Sequence, residues 1–133
     1  MNKKLILGLS LFGIAMAIAA VFGLTKNIEP FLWLIIFIFY AVIIARNTTE
    51  KRFLHGFLVS VLNGAWIAII HSAFFSTYIA NNPEMMANYE KMPHFASPQI
   101  MTLIMGPFIG AITGLVAGLF AAIAGKLIRK NNP

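Results

Sequence analysis

The chain has no cysteine and no aspartate, and only four glutamates among its 133 residues. The missing thiols exclude disulfides, thiolate metal centres and a cysteine-linked lipid anchor. Glu29, Glu50, Glu84 and Glu90 all fall outside four long apolar runs, Leu5–Leu24, Phe31–Ala45, Phe57–Ala80 and Ile100–Ile128. Those runs contain no Asp, Glu or Arg, and their one Lys is Lys126, at the far end of the last. No carboxylate inside them is available to complete a proton relay. Enzyme signatures are missing too: there is no P-loop, no G-x-S-x-G and no H-E-x-x-H. His71 and Ser72 are adjacent, so on a helix they point in different directions and do not make a nucleophile–base pair. The expectation is a chain that is not an enzyme and carries no catalytic residue, cofactor or metal.

What is present is hydrocarbon. Residues of the hydrophobic classes make up 59% of the chain and charged residues 11%. A bilayer core is about 30 Å thick and takes roughly 20 helical residues. Only helices and closed barrels satisfy their own backbone there. The runs are continuous rather than alternating, so barrel strands are a poor reading. The expected fold is all-α, a four-transmembrane-helix antiparallel bundle. It forms one integral membrane domain over residues 1–133, with spans at 5–24, 30–46, 54–80 and 98–126 and the lipid bilayer as its first partner.

The net charge of +6 suggests nucleic acid until its distribution is considered. The basic residues lie at span ends, and no basic stripe with interleaved aromatics marks a soluble face, so no nucleic-acid partner is expected. Eight of the ten Lys and Arg fall in three segments that four spans place on one side: Lys3 and Lys4; Arg46, Lys51 and Arg52; Lys126, Arg129 and Lys130. Lys26 and Lys91 lie on the other side. The positive-inside rule then puts both termini in the cytoplasm. A rival reading treats Lys3-Lys4, the apolar run and Ala15-Met16-Ala17 as a signal peptide. The run continues to Leu24, beyond the roughly 7–15 residues of a signal core, and is read as a retained span.

The connections carry local signals. The short segment Thr25–Pro30 predicts that spans one and two are antiparallel neighbours. Pro30 suits a first helical turn, and Glu29 suits the positive helix end. Span two, with Phe31, Trp33, Phe37, Phe39 and Tyr40 among Ile and Leu, reads as a lipid-facing helix. Asn47 followed by Glu50 resembles a capping box and predicts that the third helix starts near Thr48. The longest loop, Asn81 to Ser97, admits a short interfacial helix between Pro83 and Met92, with Met85, Met86, Tyr89 and Met92 toward the membrane.

Two sets of residues stand out. The last span carries Gly106, Gly110, Gly114 and Gly118 four apart, hence on one helix face, with Ala122 continuing the row. Such a ladder admits a neighbouring backbone closely, and close packing drives helix association in lipid. Its partner is expected within the chain, in span one or three, with a dimer interface as the alternative. Pro107 is expected to kink this helix. Span three carries a stripe of Gly56, Ser60, Asn63, Gly64, Ile67, His71 and Tyr78. Gly56, Ser60 and Gly64 suit helix packing, whereas Asn63 and His71 form a candidate intramembrane polar site. His71 is read as neutral and structural, bonded to a Ser or Thr on another helix, with proton transfer as the competing role. Met85, Met86, Met92, His94, Met101 and Met105 would suit Cu(I), but are read first as ordinary flexible apolar contacts.

Three stretches carry a family resemblance: Lys51-Arg52 through Gly64, then Asn82-Pro83-Glu84-Met85-Met86, then Ser97-Pro98 with the glycine-rich last helix. They resemble an uncharacterised family of small bacterial four-span inner-membrane proteins, over the last three spans. The resemblance implies an inner-membrane location and no established activity, and it transfers no functional residue. The leading functional expectation is a structural or interaction bundle that associates through small-residue helix faces, as a homo-oligomer or with a larger membrane partner. The alternatives are a small oligomeric transporter or channel and a holin-like permeabilising protein. Compact four-span drug exporters are similar in size, but depend on an acidic residue in span one that Leu5–Leu24 lacks.

Overall fold

The computed structural model describes residues 2–25, 28–48, 50–91 and 97–131, with backbone alone for residues 85, 88, 89 and 129–131. All regular elements among them are helices: α1 (Lys3–Val21), α2 (Glu29–Asn47), α3 (Arg52–Ala73), α4 (Phe75–Asn81), α5 (Pro83–Glu90) and α6 (Pro98–Asn131). Four of these, α1, α2, α3 and α6, are long and apolar enough to cross a membrane. The protein is an all-α, multi-spanning membrane bundle.

Local chemistry sets most helix ends. The Asn2 side chain accepts from the Leu5 N–H at 3.0 Å and caps α1. At the other end Gly23 takes φ +74°. The Leu24 N–H then reaches the Ala19 carbonyl at 3.0 Å, and the Gly23 N–H reaches that of Ala20 at 2.9 Å. This is the Schellman arrangement, which needs a left-handed residue just past the helix. Glu29 and Pro30 occupy the first turn of α2, where a negative charge and a missing N–H are both favourable.

The connection to α3 departs from the capping-box expectation. Asn47 and Thr48 turn back onto α2, donating to the Ile43 and Ile44 carbonyls at 2.8 and 2.6 Å. Arg52 reaches across with one Nη to the carbonyls of Thr48 at 2.6 Å and Ala45 at 3.3 Å. These side chains serve the C-terminal carbonyls of α2, so none is left to open α3 near Thr48. Lys51, at φ 56°, turns the chain instead, and α3 starts at Arg52.

The span expected to run to Ala80 is broken at Phe74. The aromatic and hydroxyl residues Phe74 to Thr77 are mediocre helix formers. Beyond them Asn81 and Asn82 bond to α1: Asn81 Nδ2 donates to the Val21 carbonyl at 3.2 Å, and Asn82 Nδ2 to that of Ala20 at 2.8 Å. Those bonds hold α4 against the end of α1. The last helix, by contrast, runs unbroken through Pro107 for 34 residues, about 51 Å at 1.5 Å each.

The backbone pairing also differs from the expectation for spans one and two. The most extensive contact joins α3 and α6, antiparallel. Helix α1 lies parallel on α3, and α2 parallel on α6. The backbones of α1 and α2 stay mostly apart; they meet through long side chains, with Phe12 edge-on to Phe39 and Tyr40 at centroid distances of 5.5 and 5.9 Å. A short loop makes two helices antiparallel, but small residues decide which backbones touch. Ile6, Leu9, Tyr40, Ile44, Val59 and Ala121, drawn from all four spans, make the core toward the end that carries the termini. Ala20, Val21 and Tyr78 form a second cluster at the opposite end.

Candidate functional site

The glycine ladder lies on α3. A Cβ added at Gly110 would sit 2.6 Å from the Ser60 carbonyl oxygen, one at Gly114 3.0 Å from that of Phe57, and one at Gly118 2.7 Å from that of Phe53. Gly106 abuts Ala68 and Gly64. From the other side, a Cβ at Gly56 would lie 2.6 Å from the Ala117 carbonyl oxygen, and Gly64 meets the Gly106 backbone. Gly125 lies against the Arg52 side chain. The small residues of the two spans thus cover one another. That face is filled by the chain itself and is not open to a second copy, which removes the ladder as the route of association.

Asn63 belongs to a different contact. Its side chain is buried beside Gly13 of α1, where a Cβ would lie 2.7 Å from Asn63 Oδ1. Asn63 Nδ2 donates to the Tyr40 hydroxyl at 3.1 Å, and that hydroxyl donates to Asn63 Oδ1 at 3.4 Å. One turn away the Ser60 and Thr113 hydroxyls pair at 2.8 Å. On the α1 side Trp66 Nε1 donates to Ser10 Oγ at 3.1 Å, and Ser10 Oγ donates to the Leu7 carbonyl at 2.7 Å. Each of these side chains has found a partner, as hydrocarbon surroundings require.

A cleft of about 300 Å³ opens beside these groups, between α2, α3 and α6. Ser60, Asn63, Gly64 and Ile67 line it from α3, and Ile109, Gly110 and Thr113 from α6. Helix α2 contributes Glu29, Trp33 and Phe37. The cleft exists because α2 is attached along only part of its length. Its buried residues, Tyr40, Ala41, Ile44 and Ala45, all lie in its second half, while Phe31, Leu34 and Ile35 in the first half are exposed. Span two, read as lipid-facing, is exposed at Phe31, Leu34, Ile35, Ile38 and Phe39, while its second half also packs Tyr40, Ala41, Ile44 and Ala45 into the core. At the mouth, Trp33 Nε1 donates to Glu29 Oε1 at 3.3 Å, and the Trp33 and Phe37 rings stand 5.8 Å apart.

His71 stands apart from this cleft, so the two members of the candidate polar site do not meet. The Tyr78 ring stacks on the His71 ring at a centroid distance of 4.1 Å. One ring edge faces the Ala17 carbonyl of α1. Nε2 is buried and has no hydrogen-bond partner among the described residues. In place of the expected Ser or Thr, the ring meets the Ala17 backbone carbonyl and the face of Tyr78.

The methionine–histidine reading falls largely outside the described residues, which exclude Met92, His94 and the Met85 side chain; Met86 and Met105 are exposed and Met101 is buried. No group of three or more His, Asp or Glu able to hold a metal occurs among the described residues.

Several working residues carried no usable sequence signal. His55 is one: it is buried, its Nε2 accepts from the Asn2 N–H at 3.1 Å, and its Nδ1 lies 2.7 Å from the Lys51 carbonyl, so it ties the start of α1 to α3. Asn81 and Asn82 do the same at the other end, and nothing in a loop sequence distinguishes a clamp from a solvated amide. No protein-family model, curated protein or solved structure matches the chain at a significant level.

Proposed function

We propose that this is a non-enzymatic interaction protein of the inner membrane, with both termini cytoplasmic, whose bundle receives a partner in the α2–α3–α6 cleft. The supporting observation is the division of labour in α2. Its second half is built into the core, and its first half stands off two helices that are already packed together. The glycine faces are consumed inside the chain, so association through them is set aside in favour of this wedge. A binding role suits the cleft chemistry better than catalysis. The Ser60 hydroxyl is paired with the Thr113 hydroxyl, not with a base that would activate it. The same cleft favours a small transporter as the second reading, because its lining descends from the first turn of α2 to the polar groups of mid-α3.

The absence of cysteine gives a clean background for testing both the cleft and the orientation. Thr113→Cys, in the cleft, is expected to react with a small water-soluble thiol reagent added from the side opposite the termini. Val59→Cys, in the sealed core, is expected to stay unreactive. Equal inertness of both would remove the cleft as a site. A phosphatase fused after Pro133 is expected to be inactive and a fluorescent protein bright; the reverse would overturn the orientation.

A further inference from the structure

We propose that the α2–α3–α6 cleft takes a monovalent amphipathic organic cation, an ammonium group carried on a compact aromatic or aliphatic body. This deepens the binding reading above and rests on it. Glu29 is the one charged residue in the cleft lining among the described residues, and no Lys or Arg shares that lining. Its carboxylate is half-buried at the first turn of α2, with one oxygen held by the Trp33 indole N–H. That bond fixes the carboxylate beside the two rings that wall the cleft, Trp33 and Phe37.

A carboxylate next to aromatic faces is the pairing that attracts a weakly hydrated cation, since the ring faces are electronegative and Trp is the strongest of them. A volume of about 300 Å³ lies at the small end of ligand-binding cavities, so the guest is small. The remaining walls are apolar, Ile67 and Ile109 with the glycine edges, and suit the body of the molecule. Deeper, the Ser60 and Thr113 hydroxyls and the Asn63 amide already bond within the bundle and ask nothing of the guest. The charge of Glu29 is what the lining offers a ligand. A volume of about 300 Å³ suits a small molecule rather than the two chains of a lipid, which favours a free amphipathic cation over a lipid's ammonium headgroup.

The test uses full-length protein in nanodiscs of phosphatidylglycerol and phosphatidylcholine. Trp66→Phe leaves Trp33 as the reporting indole. The probe is benzyltrimethylammonium, compared with its neutral isostere neopentylbenzene. The expected result is saturable quenching by the cation, with the isostere at least tenfold weaker. Glu29→Gln should weaken the cation at least tenfold while leaving the isostere unchanged. Ile109→Trp, on a half-exposed position that lines the cleft, should abolish saturable binding of both in thermal-shift and native mass measurements. Equal affinity for cation and isostere, or an unaltered affinity in Glu29→Gln, would overturn the proposal. So would an aminophospholipid that co-purifies, occupies the cleft and is not displaced by the cation. Any of these outcomes together with a reactive Thr113→Cys would leave the cleft standing and remove only its cation selectivity.

Discussion

From Gly106 to Gly118 every fourth residue of α6 is glycine, and α3 lies against that row with its backbone. Along the first half of α2 the residues that face the same two helices are Glu29, Trp33 and Phe37, and there a cleft opens. Both contacts lie in the same solvent. Lipid tails are as apolar as leucine, so burial of apolar surface rewards neither, and the difference comes from how closely atoms approach. Glycine and alanine bring whole backbones into van der Waals contact. Large rings keep the backbones apart, and their flat faces fill the gap incompletely. Where α2 does close onto the bundle, it does so with Ala41 and Ala45 beside Tyr40 and Ile44.

The comparison is broken most directly by adding bulk to the tight seam. Gly110→Leu and Gly64→Leu should each cost about 1–3 kcal/mol or more through overpacking. Leu is the better helix former by up to about 1 kcal/mol, so a loss of stability cannot come from a weaker helix. Gly8→Leu is the matched control, because nothing lies within 4 Å of a Cβ there. Thermal unfolding in detergent separates them, and equal melting points for all three would mean that the seam is not a backbone contact. The lipid-side changes Ile112→Val and Leu115→Ile should be silent, both residues being more than half exposed.

A conformational rather than steric break comes next. Gly23→Ala must hold a left-handed φ, at a cost of roughly 1–2 kcal/mol. Its Cβ would also lie 3.1 Å from the Asn81 carbonyl oxygen. The expected result is a lower melting point together with faster amide exchange at Leu24.

The polar link between the closed half of α2 and α3 should be worth less. Tyr40→Phe leaves the buried Asn63 amide without its partner, and interhelical bonds of this kind average about 0.6 kcal/mol in a membrane, up to about 1.7. Adding Asn63→Leu to Tyr40→Phe should restore part of the loss, because no buried polar atom then remains unsatisfied. A double-mutant cycle showing strict additivity would mean that the two side chains do not interact.

Apart from the silent lipid-side controls, the smallest effect is expected in the open half. Ile109→Trp, which would abolish ligand binding, should shift unfolding free energy by only about 0.5 kcal/mol, as surface substitutions do. A large destabilisation would show that the cleft is part of the packed core after all.

Much of the frame was legible in the chain, for reasons that are local or additive. Long runs without charge need helices in a bilayer whatever their neighbours. The glycine row on α6 announced a close contact, because four residues per step return to one face. The details of the candidate site were less legible. Asn63 and His71 share a stripe on α3, yet one points to Tyr40 and Gly13 and the other to Ala17 and Tyr78. A stripe gives a direction from one helix and cannot say which of two neighbours will occupy it. The capping-box signal at Asn47 failed for a similar reason. The same side chain can serve the helix behind it or the one ahead, and Arg52 favours the former by bonding to the carbonyls that end α2.

By itself the sequence determined the solvent, the number of long helices and the face on which α6 must be closely approached, since composition and period are properties of each segment alone. Only the tertiary structure decided that α3 covers that face, that α1 and α2 sit on opposite members of the central pair, and that α2 closes at one end and opens at the other. Those outcomes depend on the relative size of side chains brought together from distant parts of the chain. In a membrane, where apolar burial rewards every arrangement almost equally, it is the fit of those side chains that selects one.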